Sequence, residues 1–431
     1  MGVDRSELPA EFRFIALTLG FGAGTRHGHG GPGDFDFGGI DEAKLKGLLA
    51  RHRVHVVFCA ALKRMGLWER LSPKLRVELD TTARRLQLRQ LALLAEFLRI
   101  SKALRQEEVD FIALKGPVLS QLLYGDPTQR HCNDLDMLVR SSDIPDAIRV
   151  LSSIGFKQQD LLGIASQPLK DPIWTRLYHV HLTKDGMGVE LHWRLSRNDV
   201  LINTPIEQLF ASKQRVAVSG EEVSTLGEGH LIGYLAMHGA SHCWNRLKWL
   251  LDVKLIREAG SGRSVAHAAS SSFCAVGRGA ELQSRASVTS LRPPELRSED
   301  RRPPSRVVEL VRSLLKSLEW SLGTTRGGSD RKASRAEKSP FLASSLCLQQ
   351  LLAEDEYSGT FSNMVRRSWV LLTLHGGFGE KLRHISTLLV WPPAYEKVKL
   401  PRSLSFLYLV IGPVFWGREQ LRLLVHRRRN K

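Results

Sequence analysis

Cysteine is scarce in this chain. Cys59, Cys132, Cys243, Cys274 and Cys347 are scattered, odd in number, and form no CxxC pair. A disulfide-built scaffold is therefore excluded, and a reducing, cytoplasmic setting is the expectation. Long apolar runs are also missing. No segment reaches the ~20 apolar residues of a spanning helix. The nearest is Leu404 to Trp416, which Gly412 and Pro413 interrupt; a buried or interface helix is expected there, and no membrane span. The N-terminus carries no basic-then-apolar signal pattern. Acidic residues are outnumbered, 44 against 62 basic ones, for a formal charge of +18. Such an excess favours anionic partners, whether a nucleotide, nucleic acid or an acidic surface. It is spread along the chain, and no recognition motif or basic-aromatic stripe accompanies it, so nucleic acid is a partner without a motif behind it.

What is present suffices for two or three domains, since 42% of the 431 residues are hydrophobic. Residues 1–39 hold a Gly/His-rich tract that includes His27 and His29, and they are expected to form a flexible segment. Residues 40–108 read as helical. Ser72-Pro73 supplies a cap and a first-turn proline for a long amphipathic helix. Residues 109–226 alternate strands and helices and form the expected core. A helical pattern restarts over 227–256, with Leu231, Tyr234, Leu235 and His238 on one side. Residues 257–340 are rich in Arg, Ser, Gly and Pro, and only Val307 to Leu322 has helical spacing. That stretch reads either as a disordered insertion or as an altered reading frame. Helical text resumes over 341–431. The fold class expected is α+β, a mixed sheet with helices flanked by helical N- and C-terminal regions.

The densest chemistry lies between Phe111 and Val139. A short apolar strand leads to Lys115-Gly116, then to a helix over Gly116 to Leu123, which Gly125-Asp126-Pro127 ends. After Arg130 comes a strand bearing Asp134 and Asp136. Residues two apart on a strand share a face. Both carboxylates then leave one side of the sheet, with Leu135 and Met137 on the other. Two carboxylates so close repel unless a cation sits between them, which suggests a divalent metal. The glycine turn at a helix start can approach a phosphate. Metal and phosphate cradle together point to phosphoryl or nucleotidyl transfer. Ser141 or Ser142 is expected to cap a following helix that runs to Ser153. Further on, Tyr178 to Thr183 and Met187 to Trp193 alternate around Lys184-Asp185-Gly186, a hairpin signal. Glu190 and His192 share one face of the second strand.

Leu114-Lys115-Gly116, Tyr124-Gly125-Asp126-Pro127, Arg130, Asp134-Leu135-Asp136 and Val189-Glu190-Leu191-His192-Trp193, followed by His238-Gly239, Arg246, Trp249 and Asp252, together resemble the uncharacterised bacterial nucleotidyltransferase family. That family belongs to the polymerase-beta-like nucleotidyltransferase superfamily. The resemblance covers roughly residues 35 to 256. It implies transfer of a nucleoside monophosphate from an NTP to an acceptor hydroxyl with release of pyrophosphate. The acceptor is a small molecule, a saccharide or a protein. It also implies Mg²⁺ or Mn²⁺ on Asp134, Asp136 and Glu190, with Glu190 helping to deprotonate the acceptor. Lys115, Gly116 and Arg130 would meet the nucleotide's phosphates. Two departures stand out. Gly116 is followed by Pro117, which removes an N–H, and residues 117–133 make a longer gap before the carboxylate pair than the superfamily has.

Structural readings stand beside these. Arg130 either meets a phosphate or pairs structurally with Asp126 or Asp134, and His192 and Trp193 pack beside the site. Trp244 and Trp249 fill a core or stack on a base. His238 and His242 share a helix face, but Gly239 stands where a zinc protease has its general base. Asp252 orients the helical region or a bound nucleotide. The alternative to an enzyme is a non-catalytic nucleotide-binding, antitoxin-like or scaffold protein on the same fold.

Overall fold

Period-two alternation becomes a sheet in this chain and three-to-four-residue periodicity becomes helices. The computed structural model describes residues 8–21, 35–158, 177–196, 204–260, 305–321, 347–352, 361–375 and 377–389, with short runs between 398 and 418. The helices are α1 (Ala10–Thr18), α2 (Glu42–His52), α3 (His55–Arg64), α4 (Pro73–Gln106), α5 (Gly116–Tyr124), α6 (Ile144–Ser153), α7 (Ile206–Ala211), α8 (Glu228–Ser241), α9 (Leu247–Gly260), α10 (Ser305–Ser321), α11 (Phe361–Leu374) and α12 (Phe378–Leu389). The strands are β1 (Phe111–Ala113), β2 (Asp134–Val139), β3 (Lys157–Gln158), β4 (His179–Lys184), β5 (Met187–His192), β6 (Gln214–Val218) and β7 (Glu221–Thr225). The α+β expectation holds: one seven-stranded mixed sheet runs in the order β3-β4-β5-β2-β1-β7-β6, and helical segments flank it in sequence.

The chain divides into two units, neither continuous in sequence. One comprises Met1–Gln87, Ser120–Arg130 and Gly227–Tyr357; the other comprises Leu88–Leu119, His131–Leu226 and Ser358–Lys431. The first is helical. Its core includes Phe12, Phe14 and Ile15 of α1, Leu45 and Leu49 of α2, Phe58 and Leu62 of α3, and Leu231 and Tyr234 of α8, all fully or nearly fully buried. Each such side chain contributes about 1.5–3 kcal/mol. Ser72 Oγ accepts from the Leu75 N–H at 3.1 Å, the cap its sequence position predicts.

The second unit holds the sheet. The parallel β2–β5 ladder aligns Asp134 with Gly188, Asp136 with Glu190, and Leu138 with His192. The antiparallel β4–β5 ladder aligns His181 with Glu190 and His179 with His192. Leu135, Met137, Val189 and Leu191 are buried on the opposite face, which fixes the register: a slip by one residue would carry these apolar side chains to the face that holds the charged groups. At the hairpin between β4 and β5, Asp185 and Gly186 have φ of 48° and 77°. Two successive left-handed residues match the twist of a tight hairpin.

Several expectations change. The flexible segment expected over 1–39 contains α1, because the apolar residues of Phe12 to Leu17 lie outside the Gly/His tract and bury together. His27 and His29 lie outside the described residues, as does most of 257–340. The helix expected from Ser142 begins at Ile144. A short 3-10 turn over Ser141–Asp143 precedes it, no side chain caps it, and Pro145 takes the first turn. The continuous helix expected after Gly229 breaks between α8 and α9, where Cys243 and Trp244 both have φ of 51°. There the Trp244 ring folds back over Gly239, where an added Cβ would lie 2.5 Å from it. Trp244 is fully buried, so core packing is its fate. Strands β6 and β7 were not expected at all. Among the described residues no helix is long and apolar enough to cross a membrane.

Candidate active site

Strand alternation and register together build the site. Asp134 and Asp136 on β2, and Gly188, Glu190 and His192 on β5, occupy one sheet face by the pairing described above. On β4, His179 and His181 are placed on that same face by their pairing with His192 and Glu190. All of these belong to the sheet unit, as does Lys115 in the turn after β1. Backbone geometry ties the turn to the site, since the Leu114 N–H donates to the Asp136 carbonyl at 2.9 Å. Gly116 follows with φ of 71°, a left-handed conformation that glycine adopts freely. The turn that starts α5 therefore needs this residue type.

Asp136 is the electrostatic centre. Its side chain is only 2% exposed. Lys115 Nζ lies 2.9 Å from Oδ1, and His192 Nε2 lies 3.6 Å from the same oxygen. Burial alone would raise the Asp136 pKa, but Lys115 and His192 outweigh it and hold the carboxyl below its usual range. Glu190 Oε2 sits 3.3 Å from His192 Nε2, and its side chain is 28% exposed. Burial would raise Glu190 as well, yet the contact with His192 leaves its pKa lowered. For His192, burial favours the neutral ring, but Asp136 and Glu190 prevail and raise its pKa. The centre thus interleaves basic and acidic groups: Lys115, Asp136, His192, Glu190. It is under-satisfied nonetheless, because Asp136 Oδ1 and both ring nitrogens of His192 are buried without a well-aligned hydrogen bond. Buried polar atoms in that state are uncommon and call for an explanation such as a bound ion.

The carboxylate set has Asp136 and Glu190 paired across the β2–β5 ladder and Asp134 two residues along on the same strand face, with one oxygen already met by a cation, since Lys115 Nζ lies 2.9 Å from Asp136 Oδ1. A second set of donors lies beside it. His179, Glu190 and His192 each offer one atom within 4.8 Å of the others, and among the described residues they form the group of three or more such donors that is this close. Asp134 and Asp136 are outside that group. The alternation HVH on β4 and ELH on β5 carried the signal for the two histidines, but their pairing depends on a hairpin register that the sequence leaves open.

Arg130 has a different fate. It belongs to the helical unit with Asp252, and its Nε and Nη2 donate to the two carboxylate oxygens of Asp252 at 2.9 Å each. Its bidentate partner is therefore Asp252, a carboxylate far along the chain. Ser120 Oγ accepts from the Arg130 N–H at 2.9 Å and donates to the Asp126 carbonyl at 2.7 Å. Asp126 itself accepts from the N–H and hydroxyl of Thr128, so the Gly125-Asp126-Pro127 turn is closed by its own side chains. In the same unit, His242 stacks on Trp249 with ring centroids 4.8 Å apart, and His238 lies 4.8 Å from His242, as the four-residue spacing on a helix predicts.

A family model described as an uncharacterised nucleotidyltransferase matches residues 39–266. No curated protein and no solved structure matches the chain. At a coarse level the family match supports nucleotidyl transfer and an NTP substrate.

Proposed function

The chain belongs to the uncharacterised nucleotidyltransferase family, and on that premise we propose that it moves a nucleoside monophosphate from an NTP to an acceptor hydroxyl at the sheet face carrying Asp134, Asp136 and Glu190. The observation that carries this reading is the alignment of Asp136 with Glu190 across the parallel β2–β5 ladder. Asp134, Asp136 and Glu190 would hold Mg²⁺ or Mn²⁺. A bound divalent ion there supplies charge stabilisation to the entering and leaving oxygens of the displacement.

The chain's own residues do the rest. Glu190, anionic and part-exposed, takes the proton from the acceptor hydroxyl. The acceptor oxygen then bonds to the α-phosphorus as the bond to the bridging oxygen breaks, and pyrophosphate departs. Lys115 keeps Asp136 ionised in a dry site. The left-handed Gly116 lets the turn backbone come close to a phosphate, while Pro117 withholds one N–H from it. Arg130, bound twice by Asp252, is assigned to structure, so phosphate charge falls to Lys115.

A second reading is a nucleotide-binding or antitoxin-like scaffold without turnover. The ammonium of Lys115 already seated on Asp136, together with Pro117, favours it. Incubating the full chain with α-labelled NTPs, Mg²⁺ and cell extract separates the two. Label should appear on an acceptor with release of pyrophosphate, and Asp134→Ala should abolish it. Tight NTP binding with no pyrophosphate selects the scaffold reading, and undiminished transfer by Asp134→Ala rejects the proposed site.

A further inference from the structure

The donor group beside the carboxylates has a chemistry of its own. Two of its three ligands are imidazoles. Mg²⁺ takes oxygen donors and avoids such a set, whereas imidazole suits Zn²⁺ and its neighbours in the first transition row. We propose that His179, Glu190 and His192 form a binding site for a borderline divalent transition metal of the Zn²⁺ class, separate in donor set from the carboxylate site and sharing Glu190 with it.

Geometry supports this on three counts. First, the antiparallel β4–β5 ladder sets His179 directly opposite His192, and Glu190 is two residues from His192 on the same strand. All three thus stand on one face of a rigid hairpin and not on a loop. Second, their donor atoms lie within 4.8 Å of one another, and Glu190 Oε2 is 3.3 Å from His192 Nε2. Zinc–ligand bonds of about 2.0–2.2 Å in a tetrahedron put neighbouring donors about 3.3–3.6 Å apart. One edge of that tetrahedron is therefore already formed, and small rotations close the others. Third, His192 is 3% exposed and neither ring nitrogen makes a well-aligned hydrogen bond. A buried imidazole in that state can turn a ring nitrogen to a metal ion, which takes the neutral ring. Asp136 Oδ1, 3.6 Å from His192 Nε2, adds negative charge next to the group without joining it. Three protein ligands leave the fourth position open, the pattern of zinc sites that bind a water or substrate oxygen. The group shares its sheet face with Asp134 and Asp136 by strand pairing, so the exchangeable ligand it would take is a water or phosphate oxygen.

The test needs no nucleotide, so it can fail without the transfer reading failing, and the reverse. The full chain is stripped with chelator and titrated with Zn²⁺ alone against a chromophoric competitor, then with Co²⁺ to read the visible absorption of a nitrogen-ligated ion. One tight site per chain is expected, undisturbed by excess Mg²⁺. His179→Ala, His192→Gln and Glu190→Gln, each checked for unchanged circular dichroism, should weaken it by about 100-fold or more, since even partners one shell out are worth 10–100-fold. Asp134→Asn should retain it, as should the double change His27→Ala with His29→Ala in the Gly/His tract. The proposal is overturned if the tight site survives all three ligand substitutions, if it is lost in the His27/His29 double variant, or if Mg²⁺ displaces Zn²⁺ at comparable concentration. His192→Gln is the variant most exposed to misfolding. Should it lose native circular dichroism, the part-exposed His179 and Glu190 decide the outcome alone.

Discussion

Two buried charge centres contrast in how fully they are paired. In the helical unit, Arg130 and Asp252 are 3% and 1% exposed, and two parallel 2.9 Å hydrogen bonds join them. In the sheet unit, Asp136 is just as buried, but Lys115 and His192 share it, and polar atoms on both Asp136 and His192 lack aligned partners. Two parallel bonds from a planar guanidinium occupy both oxygens of the carboxylate, so Asp252 has little left to offer a cation. The second centre retains unspent acceptor capacity on a sheet face. A closed pair holds structure, and an open one is available for chemistry.

Substitution should separate the two centres most sharply through activity. Asp136→Ala is expected to reduce NTP-dependent transfer by roughly 10⁴-fold, which is about 5.5 kcal/mol of transition-state stabilisation, the scale of a lost metal-binding carboxylate. Its melting temperature should fall as well, since Lys115 and His192 lose the carboxylate they share. Asp136→Asn, which keeps the side-chain shape, should lose transfer while melting closer to the parent. Steady-state transfer assays beside thermal melts check this; a variant that melts normally and turns over at more than a tenth of the parent rate would remove Asp136 from the site. Arg130→Ala should do the opposite. It leaves Asp252 buried and unpaired, which costs about 3–5 kcal/mol of stability. Pairing Arg130→Met with Asp252→Leu should recover most of that loss, because a buried ion pair is often replaceable by apolar groups. Denaturant unfolding of the single and double variants reads both effects. If the double variant is no more stable than Arg130→Ala, the pair is more than a closed structural bond.

Much of this contrast was legible in the sequence, and the rest has a physical reason for being hidden. Asp134 could be assigned a common face with Asp136, and Glu190 one with His192, because side-chain direction on a strand follows from position alone. That Asp136 and Glu190 are neighbours required strand order, and strand order depends on non-local pairing that local patterns do not encode. Arg130 shows the same limit. Asp126 and Asp134 are its neighbours in sequence, but its partner Asp252 is supplied by α9, far along the chain. The hairpin at Asp185-Gly186 and the Ser72 cap were readable because each is closed within a few residues. Strands β6 (QRVAV) and β7 (EEVST) were missed because each mixes polar or charged residues with few large apolar ones, so no strong period-two signal stands out. The paired histidines of β4 and β5 become a group only once the hairpin register is known.

Acid should weaken the helical unit through a buried histidine. His52 is fully buried, and its Nδ1 accepts from the Leu247 N–H at 3.2 Å. Burial first, then the positive charges of Arg51 and Arg246, lower its pKa from 6.5 to about 3. The unfolded chain therefore takes up a proton near pH 6.5 while the folded chain resists until about pH 3. Stability is full above pH 6.5 and falls as the pH drops between those values. From pH 7 to pH 5 the loss attributable to His52 is about 2 kcal/mol. Melting curves of the parent and His52→Gln over that range check it, and the variant's curve should be flatter. Equal slopes would mean that other groups govern the acid limb.

The smallest expected effect sits at the turn of the open centre. Gly116 has φ of 71°, and an added Cβ would meet only Leu135 Cδ2 at 3.6 Å, an ordinary contact. Space is therefore available, and the penalty for Gly116→Ala is conformational: about 1–2 kcal/mol for an L-residue held in the left-handed region. Because the Leu114 N–H bonds the Asp136 carbonyl, part of that strain passes to the strand that carries the carboxylates. Gly116→Asn, a residue that tolerates the left-handed region better, should restore stability. If Gly116 also lets the backbone approach a phosphate, Asn will recover the melting temperature and leave KM for the NTP raised. Recovery of both would reduce Gly116 to a turn residue and leave the open centre to Asp136, Lys115 and His192.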